Sequence, residues 1–136
     1  MEPSHEPAVG VITAPSRFPV PETVDRLAAA VRTAGNTIFA RIDHAANAAE
    51  AGLSMPPTQV LVFGNGKAGT PLMLAAPPLA LDLPLRFLVW QADDGSTRVA
   101  WNDPLYFAAR FAALHGHEPQ LVAMRRALAG FAATLA

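Results

Sequence analysis

The most restrictive feature of the sequence is a short apolar run that ends in a glycine-rich turn. Val60–Phe63 contains no polar residue, and Gly64–Lys67 follows it directly. A strand without polar alternation is usually covered on both faces, so we expect this one inside a sheet with both faces buried. The turn offers two helix starts, because Asn65 can cap a helix and Thr70 precedes a proline. The sequence leaves both starts open.

Composition excludes several classes of protein. Of the 136 residues, 51% are hydrophobic and 15% are charged, which favours a packed fold over disorder. The net charge of −1 comes without the clustered cations on which nucleic-acid binding depends. The chain has no cysteine, which excludes disulfides and thiolate metal sites and is compatible with a reducing cytoplasm. No apolar stretch approaches the ~20 residues of a membrane-spanning helix, so we expect a soluble, cytoplasmic protein.

Apolar periodicity predicts alternating strands and helices after a short tail. We expect residues 1–7 to be frayed and residues 8–136 to form a single α+β domain. The elements predicted up to the glycine-rich turn are a strand at 9–13, a helix from Pro21 to Gly35, a strand at 36–42, an alanine-rich helix at 44–51 and the apolar strand itself.

An Asp-Gly pair predicts a hairpin in the second half of the chain. Residues 92–96 separate two strand-like runs, at 85–91 and 97–101, and Asp-Gly between such runs is a strong hairpin signal. Pro104 and Pro119 each suit a first helical turn, so we expect one helix at about 104–114 and a last helix from Pro119. Hairpin strands are antiparallel. The pattern therefore predicts an α+β fold with a single layer of mixed or antiparallel sheet, about five strands, and helices packed on it.

Four segments resemble one known family in the same order along the chain. Phe63–Met73 is similar to the signature FGNPKAGTPLM of the domain-of-unknown-function family numbered 302, which has proline where Gly66 stands here. The other matching segments are Phe39–Ala45, Leu81–Arg86 and Trp101–Pro104. The resemblance covers residues 11 to 114, and it implies an α+β fold but no particular reaction.

The glycine-rich turn is a candidate anion site. It is not a phosphate-binding P-loop, because Ala68 rather than Ser or Thr follows Lys67. Backbone N–H groups at a helix start, together with Asn65, Lys67 and Thr70, can still hold a carboxylate or a phosphate. A plain strand-to-helix turn explains the same residues without any ligand.

His44 is the candidate acid–base residue. It follows Asp43 at the end of a predicted strand, and a carboxylate such as Asp43 or Asp82 can orient a histidine for proton transfer. The structural alternative is that Asp43 caps the next helix and His44 only holds the turn.

The His-Gly-His-Glu segment at 115–118 carries two imidazoles and a carboxylate, which metals use as ligands. These groups also suit the C-terminal end of a helix, where the helix dipole favours cations. With two histidines and no thiol nearby, we expect no metal site, and the sequence indicates no cofactor.

Three aromatic residues with polar tips flank the hairpin and the helix after it: Trp90, Trp101 and Tyr106. Such side chains favour ligand pockets and interfaces. Aromatic residues in strands more often belong to the core. We therefore treat these three as candidate ligand-binding residues alongside the glycine-rich turn.

These observations support two hypotheses about function. The leading one is a non-enzymatic domain that forms a homodimer and binds a small apolar or anionic ligand, because so apolar a short chain leaves surplus apolar surface. We expect the last helix to carry that surplus, and we expect no nucleic-acid or membrane partner. The alternative is a small enzyme with His44 as its acid–base group and an anion held at Asn65 and Lys67. It requires His44, Lys67 and Asp82 to lie within about 10 Å of one another.

Overall fold

A five-stranded antiparallel sheet is the framework of the protein, as seen in a computed structural model that describes residues 8–136. The tail predicted at residues 1–7 lies outside the described residues. The strands are β1 (Val11–Ser16), β2 (Thr37–Asp43), β3 (Thr58–Gly64), β4 (Leu85–Gln91) and β5 (Thr97–Asn102). Their order across the sheet is β1-β5-β4-β3-β2, with each strand antiparallel to its neighbours. The predicted α+β fold is confirmed, and β3 lies inside the sheet.

Helices connect the strands and extend the chain beyond β5. They are α1 (Val20–Thr33), α2 (His44–Glu50), α3 (Gly66–Ala75), α4 (Pro104–Arg110) and α5 (Glu118–Ala133), with short 3₁₀ turns at Pro77–Leu81 and Ala112–Leu114. Their order along the chain is the order predicted from periodicity.

The predicted hairpin is confirmed, and it fixes the register of the two strands that it joins. Leu88 lies opposite Ala100 and Trp90 lies opposite Arg98. Gly95 adopts a φ of +85° in the turn, a conformation that glycine reaches without steric cost. Because side chains alternate between faces, this register places Trp90 on the opposite face of the sheet from Val99 and Trp101.

One face of the sheet carries the main hydrophobic core, covered by α1 and α5. The apolar side of α1 is fully buried at Val24, Leu27 and Val31. The sheet contributes Leu61, Phe63, Phe87, Val89, Val99 and Trp101 to the same cluster. The last helix turns Leu128 and Ala132 into this core, so its most apolar side is occupied within the protein.

A second, smaller cluster joins α3 to α4 and α5. Its buried members are Leu72, Ala76, Leu79, Phe107, Leu114 and Leu121. The partly buried Leu85, at the start of β4, packs against both clusters. This cluster holds the C-terminal half of α3, whereas the first turn of α3 stays at the surface.

Two predicted elements have wrong boundaries. β1 begins later than predicted, at Val11, because Gly10 occupies the turn before it with a φ of +75°, and it extends to Ser16 instead of residue 13. α4 ends at Arg110 and does not continue to residue 114. Phe111 takes an extended backbone conformation there, with φ −119° and ψ 100°, and its ring packs against the second cluster. Tertiary packing of one aromatic ring therefore overrides the local helical signal.

The prediction that the apolar strand is buried on both faces is met on only one face within residues 8–136. Leu61 and Phe63 are buried in the main core, but Val60 and Val62 point to the other face and stay only half-buried. Neither hydrophobic cluster contains a residue from that side. We call this surface the open face, defined by Ala40, Ile42, Val60, Val62, Leu88, Trp90 and Ala100.

Candidate functional site

A cavity of about 540 Å³ lies where the glycine-rich turn meets α5. The first turns of α3 form one wall, and α5 forms the opposite wall. The end of β3 and the segment that leads into β4, which includes a cis Leu83–Pro84 peptide bond, close the base. The volume is in the range of small-molecule sites in proteins.

Asn65 fixes where α3 begins. Its backbone is extended, and its side-chain oxygen accepts a hydrogen bond from the Lys67 N–H at 2.9 Å. Its carbonyl accepts the N–H of Gly69 at 2.9 Å. The helix thus starts at Gly66, which decides between the two predicted starts in favour of Asn65. Pro71 then lies inside α3, and because proline has no N–H, the carbonyl of Lys67 loses its usual helical donor.

Lys67 supplies the positive charge of the cavity. It is the only charged residue among the described residues that line it, and none of the ion pairs found in residues 8–136 includes it. Asn36, Asn65 and Gln120 add neutral polar groups to the lining, whereas Thr70 does not line the cavity. The N-terminal end of the α3 dipole is also positive. This end of the cavity therefore favours an anion.

The remainder of the lining is mostly apolar. Phe63 and Leu128 form the base, and Met124 and Phe131 project from α5 as a half-buried wall. Phe87 stacks on Phe63 with 5.3 Å between ring centroids and meets Phe131 edge-on at 6.5 Å, so the aromatic base is packed from behind. The sequence analysis predicted the helix that carries Met124 and Phe131 but did not single out either residue. Their position beside the glycine-rich turn depends on how α5 crosses the sheet, which periodicity does not report.

Asp43 and His44 lie at the opposite end of β3 from the cavity. Asp43 pairs with Gln59 at the start of β3, whereas the cavity begins at Phe63. Along an extended strand these two positions of β3 are about 14 Å apart. The Asp43 carboxylate accepts an N–H from the first turn of α2 at 2.9 Å, and His44 is exposed. The enzyme hypothesis requires His44 and Lys67 to lie close together. The structure does not bring them together.

Asp82 lies near the cavity but is engaged by an arginine. Both of its carboxylate oxygens accept hydrogen bonds from the Arg110 guanidinium, at 3.0 and 3.1 Å. Its side chain is only 16% exposed, and it does not line the cavity. The pair connects α4 to the segment before β4. Asp82 therefore has a structural partner, and the structure does not bring it together with His44.

The three candidate aromatic residues occupy three different places, and none of them lines the cavity. Trp90 lies on the open face. Trp101 is 5% exposed and lies in the main core, with its indole Nε1 buried and without a hydrogen-bond partner. Tyr106 packs so closely over Gly10 that a Cβ at Gly10 would lie 2.4 Å from its ring. Their placement supports packing roles and not a shared pocket.

Within residues 8–136, no group of three or more His, Asp or Glu side chains is arranged to hold a metal ion. The segment at 115–118 forms the entry to α5. The Glu118 carboxylate accepts the Gly116 N–H at 2.7 Å. The pKa of Glu118 is lowered, chiefly by its own backbone N–H and then by the Gly116 N–H. These contacts give Glu118 a local structural role.

Comparison with known proteins identifies the family. Residues 12–135 match the family described as "Domain of unknown function DUF302". The chain belongs to the DUF302 family. The crystal structure of an uncharacterised DUF302 protein from Bacillus stearothermophilus has a TM-score of 0.84 with this DUF302 domain. The match covers 95% of this chain and 100% of that one at 17% sequence identity, so it shows a shared fold.

Fluoride-specific ion channels of Brucella contain a similar segment. The DUF302 domain is 44% identical over 101 residues to the fluoride-specific ion channel FluC 1 of Brucella suis and to the protein of the same name in Brucella abortus. The matched region is 74% of this chain but only 40% and 37% of those proteins, so the chain spans about two fifths of their length. In the part of the DUF302 domain that the structure describes, no helix is both long and apolar enough to cross a membrane.

Proposed function

We propose that this DUF302 domain is a homodimeric module that binds a small amphipathic anion in the cavity between α3 and α5. The supporting observation is that one cavity of about 540 Å³ combines an apolar base with a single cationic end. Apolar pockets with a few placed polar groups are typical of small-molecule sites. An acid–base reaction through His44 has no comparable support, since His44 lies at the far end of β3.

The two ends of the cavity contribute differently to binding. Each methylene buried against Met124 and Phe131 contributes about 0.8 kcal/mol. An exposed lysine such as Lys67 contributes about 0.2–1 kcal/mol to an ion pair. The apolar part of the ligand therefore supplies most of the affinity, and the charge sets its orientation. A carboxylate on a short alkyl or aryl chain has this chemistry.

The name of the Brucella relatives raises fluoride as an alternative ligand. A bare fluoride ion would occupy only a small part of this cavity. Removing its hydration against apolar walls is costly, and one exposed lysine recovers little of that cost. The geometry therefore favours an organic anion over fluoride.

Isothermal titration calorimetry with straight-chain carboxylates, and with alcohols of the same length, tests the proposal. We expect affinity to rise about fourfold for each added methylene until the cavity is full. We expect each carboxylate to bind about 1.4- to fivefold more tightly than its alcohol. Lys67→Gln should remove this difference without weakening the alcohols, and His44→Gln should change neither series.

A matched pair of tryptophan substitutions locates the site. Ala127 and Ala129 are both exposed on α5, but only Ala127 lines the cavity. Ala127→Trp should fill the cavity and weaken carboxylates by at least about tenfold, while Ala129→Trp should bind as the wild type does. Failure of every carboxylate to bind, or undiminished binding by Ala127→Trp, would contradict the proposal. A parallel titration uses sodium fluoride, with sodium chloride as the reference. If fluoride alone releases or absorbs heat, and Ala127→Trp abolishes that heat, fluoride is favoured over an organic anion as the ligand.

A further inference from the structure

The open face is a flat apolar surface at the centre of the sheet. Val60 lies opposite Leu88 across β3 and β4, and Leu88 lies opposite Ala100 across β4 and β5. Ile42 on β2 is 37% exposed, and Trp90 is half-buried. An apolar centre of this kind, with an aromatic residue such as Trp90, is typical of the core of a protein–protein interface.

The sequence of β3 also indicates that this face is covered. Val60–Phe63 is apolar at every position, a pattern typical of strands buried on both sides. Within residues 8–136, the hydrophobic clusters cover only the opposite face of the sheet. A second copy of the chain can supply the other cover.

Both edges of the sheet oppose strand addition. β1 contains Pro15, which lacks a backbone N–H, and β2 carries a register shift between Ile38 and Ala40. Proline and bulges on edge strands are devices that prevent edge-to-edge pairing. Two sheets of this protein are therefore expected to associate through their open faces and not through their edge strands.

The size of the face approaches what a modest homodimer needs. The four strands β2–β5 that carry it, at about 4.8 Å spacing and about 20 Å length, give a flat footprint of roughly 400 Å² per copy. Two copies then bury roughly 800 Å² of flat area, against a lower bound of about 1,000 Å² for a specific interface. Side chains that project from the face add to this area.

We infer that the open face is the homodimer interface, packed face to face against the open face of a second copy around a two-fold axis. A two-fold axis makes the contact self-complementary and closes the assembly at two chains. Arg86 and Arg98 lie on the same side of the sheet as the interface and are expected at its rim, in contact with water. The inference deepens the dimer part of the proposed function and does not depend on the cavity.

Sedimentation equilibrium across a concentration series is the test, with charged substitutions on and off the face. We expect the wild type at twice the mass of the chain, and Leu88→Lys and Ile42→Lys as monomers with folded circular dichroism spectra. Ile42 lies on an edge strand and is 37% exposed, so its substitution is expected to fold even where Leu88→Lys does not. Leu74→Lys is the matched control, because Leu74 is an exposed leucine, at 79%, outside the open face.

Tryptophan fluorescence provides a second readout. The chain has two tryptophans, so Trp101→Phe leaves Trp90 as the reporter on the open face. Its emission should shift to longer wavelength on dilution, as the interface opens. If the wild type is a monomer at all concentrations, both the dimer and the interface are overturned. The same conclusion holds if that monomer binds anionic vesicles through Arg86 and Arg98. A dimer that persists in folded Ile42→Lys would overturn the interface alone.

Discussion

The two helix starts at opposite ends of β3 share their local chemistry and differ in their surroundings. Asp43 caps α2 and Asn65 caps α3, and each side chain accepts an N–H from the first helical turn at 2.9 Å. α2 buries none of its residues, whereas α3 buries Leu72 and faces α5 across the cavity. A cap determines where a helix begins. A packed neighbour determines whether that start becomes part of a site.

The largest expected difference concerns how firmly each helix is held. Leu72 is fully buried in the second cluster, so Leu72→Ala should lower the free energy of unfolding by about 2–5 kcal/mol. Ala48→Gly in α2 should cost about 1 kcal/mol, since it changes only helix propensity. Urea denaturation with circular dichroism measures both. Equal losses would show that α2 is anchored as firmly as α3.

Removing each cap should have similar effects on stability and different effects on binding. Asp43→Ala and Asn65→Ala should each lower the free energy of unfolding by about 1 kcal/mol, because each leaves one helical N–H without its acceptor. Only Asn65→Ala should also weaken carboxylate binding, since Asn65 lines the cavity. Denaturation and calorimetry on the same two variants test the contrast. Weaker binding in Asp43→Ala would show that the two ends of β3 are coupled.

The smallest effect concerns the turn of the β4–β5 hairpin, which is held by Asp94. The Ser96 hydroxyl donates to the Asp94 carboxylate at 2.6 Å, and this bond is the main reason that the pKa of Asp94 is lowered. Ser96→Ala should raise that pKa toward its ordinary value, as followed by an NMR titration.

The sign of the pH dependence follows from the same shift. Because the pKa of Asp94 is lowered in the folded protein, its ionised carboxylate stabilises the fold at pH values above the ordinary Asp pKa. This contribution to the free energy of unfolding is lost as the pH falls through the folded-state pKa. In Ser96→Ala, the free energy of unfolding should therefore fall less steeply as the pH is lowered below the ordinary Asp pKa. An unchanged Asp94 pKa in Ser96→Ala would show that the backbone N–H bond of Ser96 is sufficient by itself.

The fold was predictable wherever the signal was local. The Asp-Gly pair at residues 94–95 predicted both strands of the hairpin, and Asp43 predicted the start of α2. Asn65 and Thr70 were equally good caps in the sequence, and the structure decides between them through the hydrogen bond from the Lys67 N–H to the Asn65 side chain. The end of α4 was missed because it depends on where the ring of Phe111 packs.

Of the two walls of the candidate site, the sequence predicted only the residues on the wall formed by α3. Asn65 and Lys67 were marked by the turn that contains them, whereas Met124 and Phe131 reach the cavity through a helix crossing that no local pattern encodes. The grouping of Trp90 with Trp101 could not be resolved from the Asp-Gly pair alone. The hairpin has a three-residue loop, closed by the hydrogen bond from the Ala92 N–H to the Ser96 carbonyl, and its register places the two tryptophans on opposite faces. A two-residue turn at Asp94 and Gly95 would have placed them on the same face.

The pairing of β1 with β5 has a consequence for how the chain is made. Val11 lies opposite Asn102, and the Arg17 N–H bonds to the carbonyl of Leu135, so early and late parts of the chain complete each other. Contacts between such distant positions form slowly, because a long loop must close first. During translation, β1 is expected to wait unpaired until β5 has left the ribosome. A chaperone that shields an unpaired strand would act on this interval.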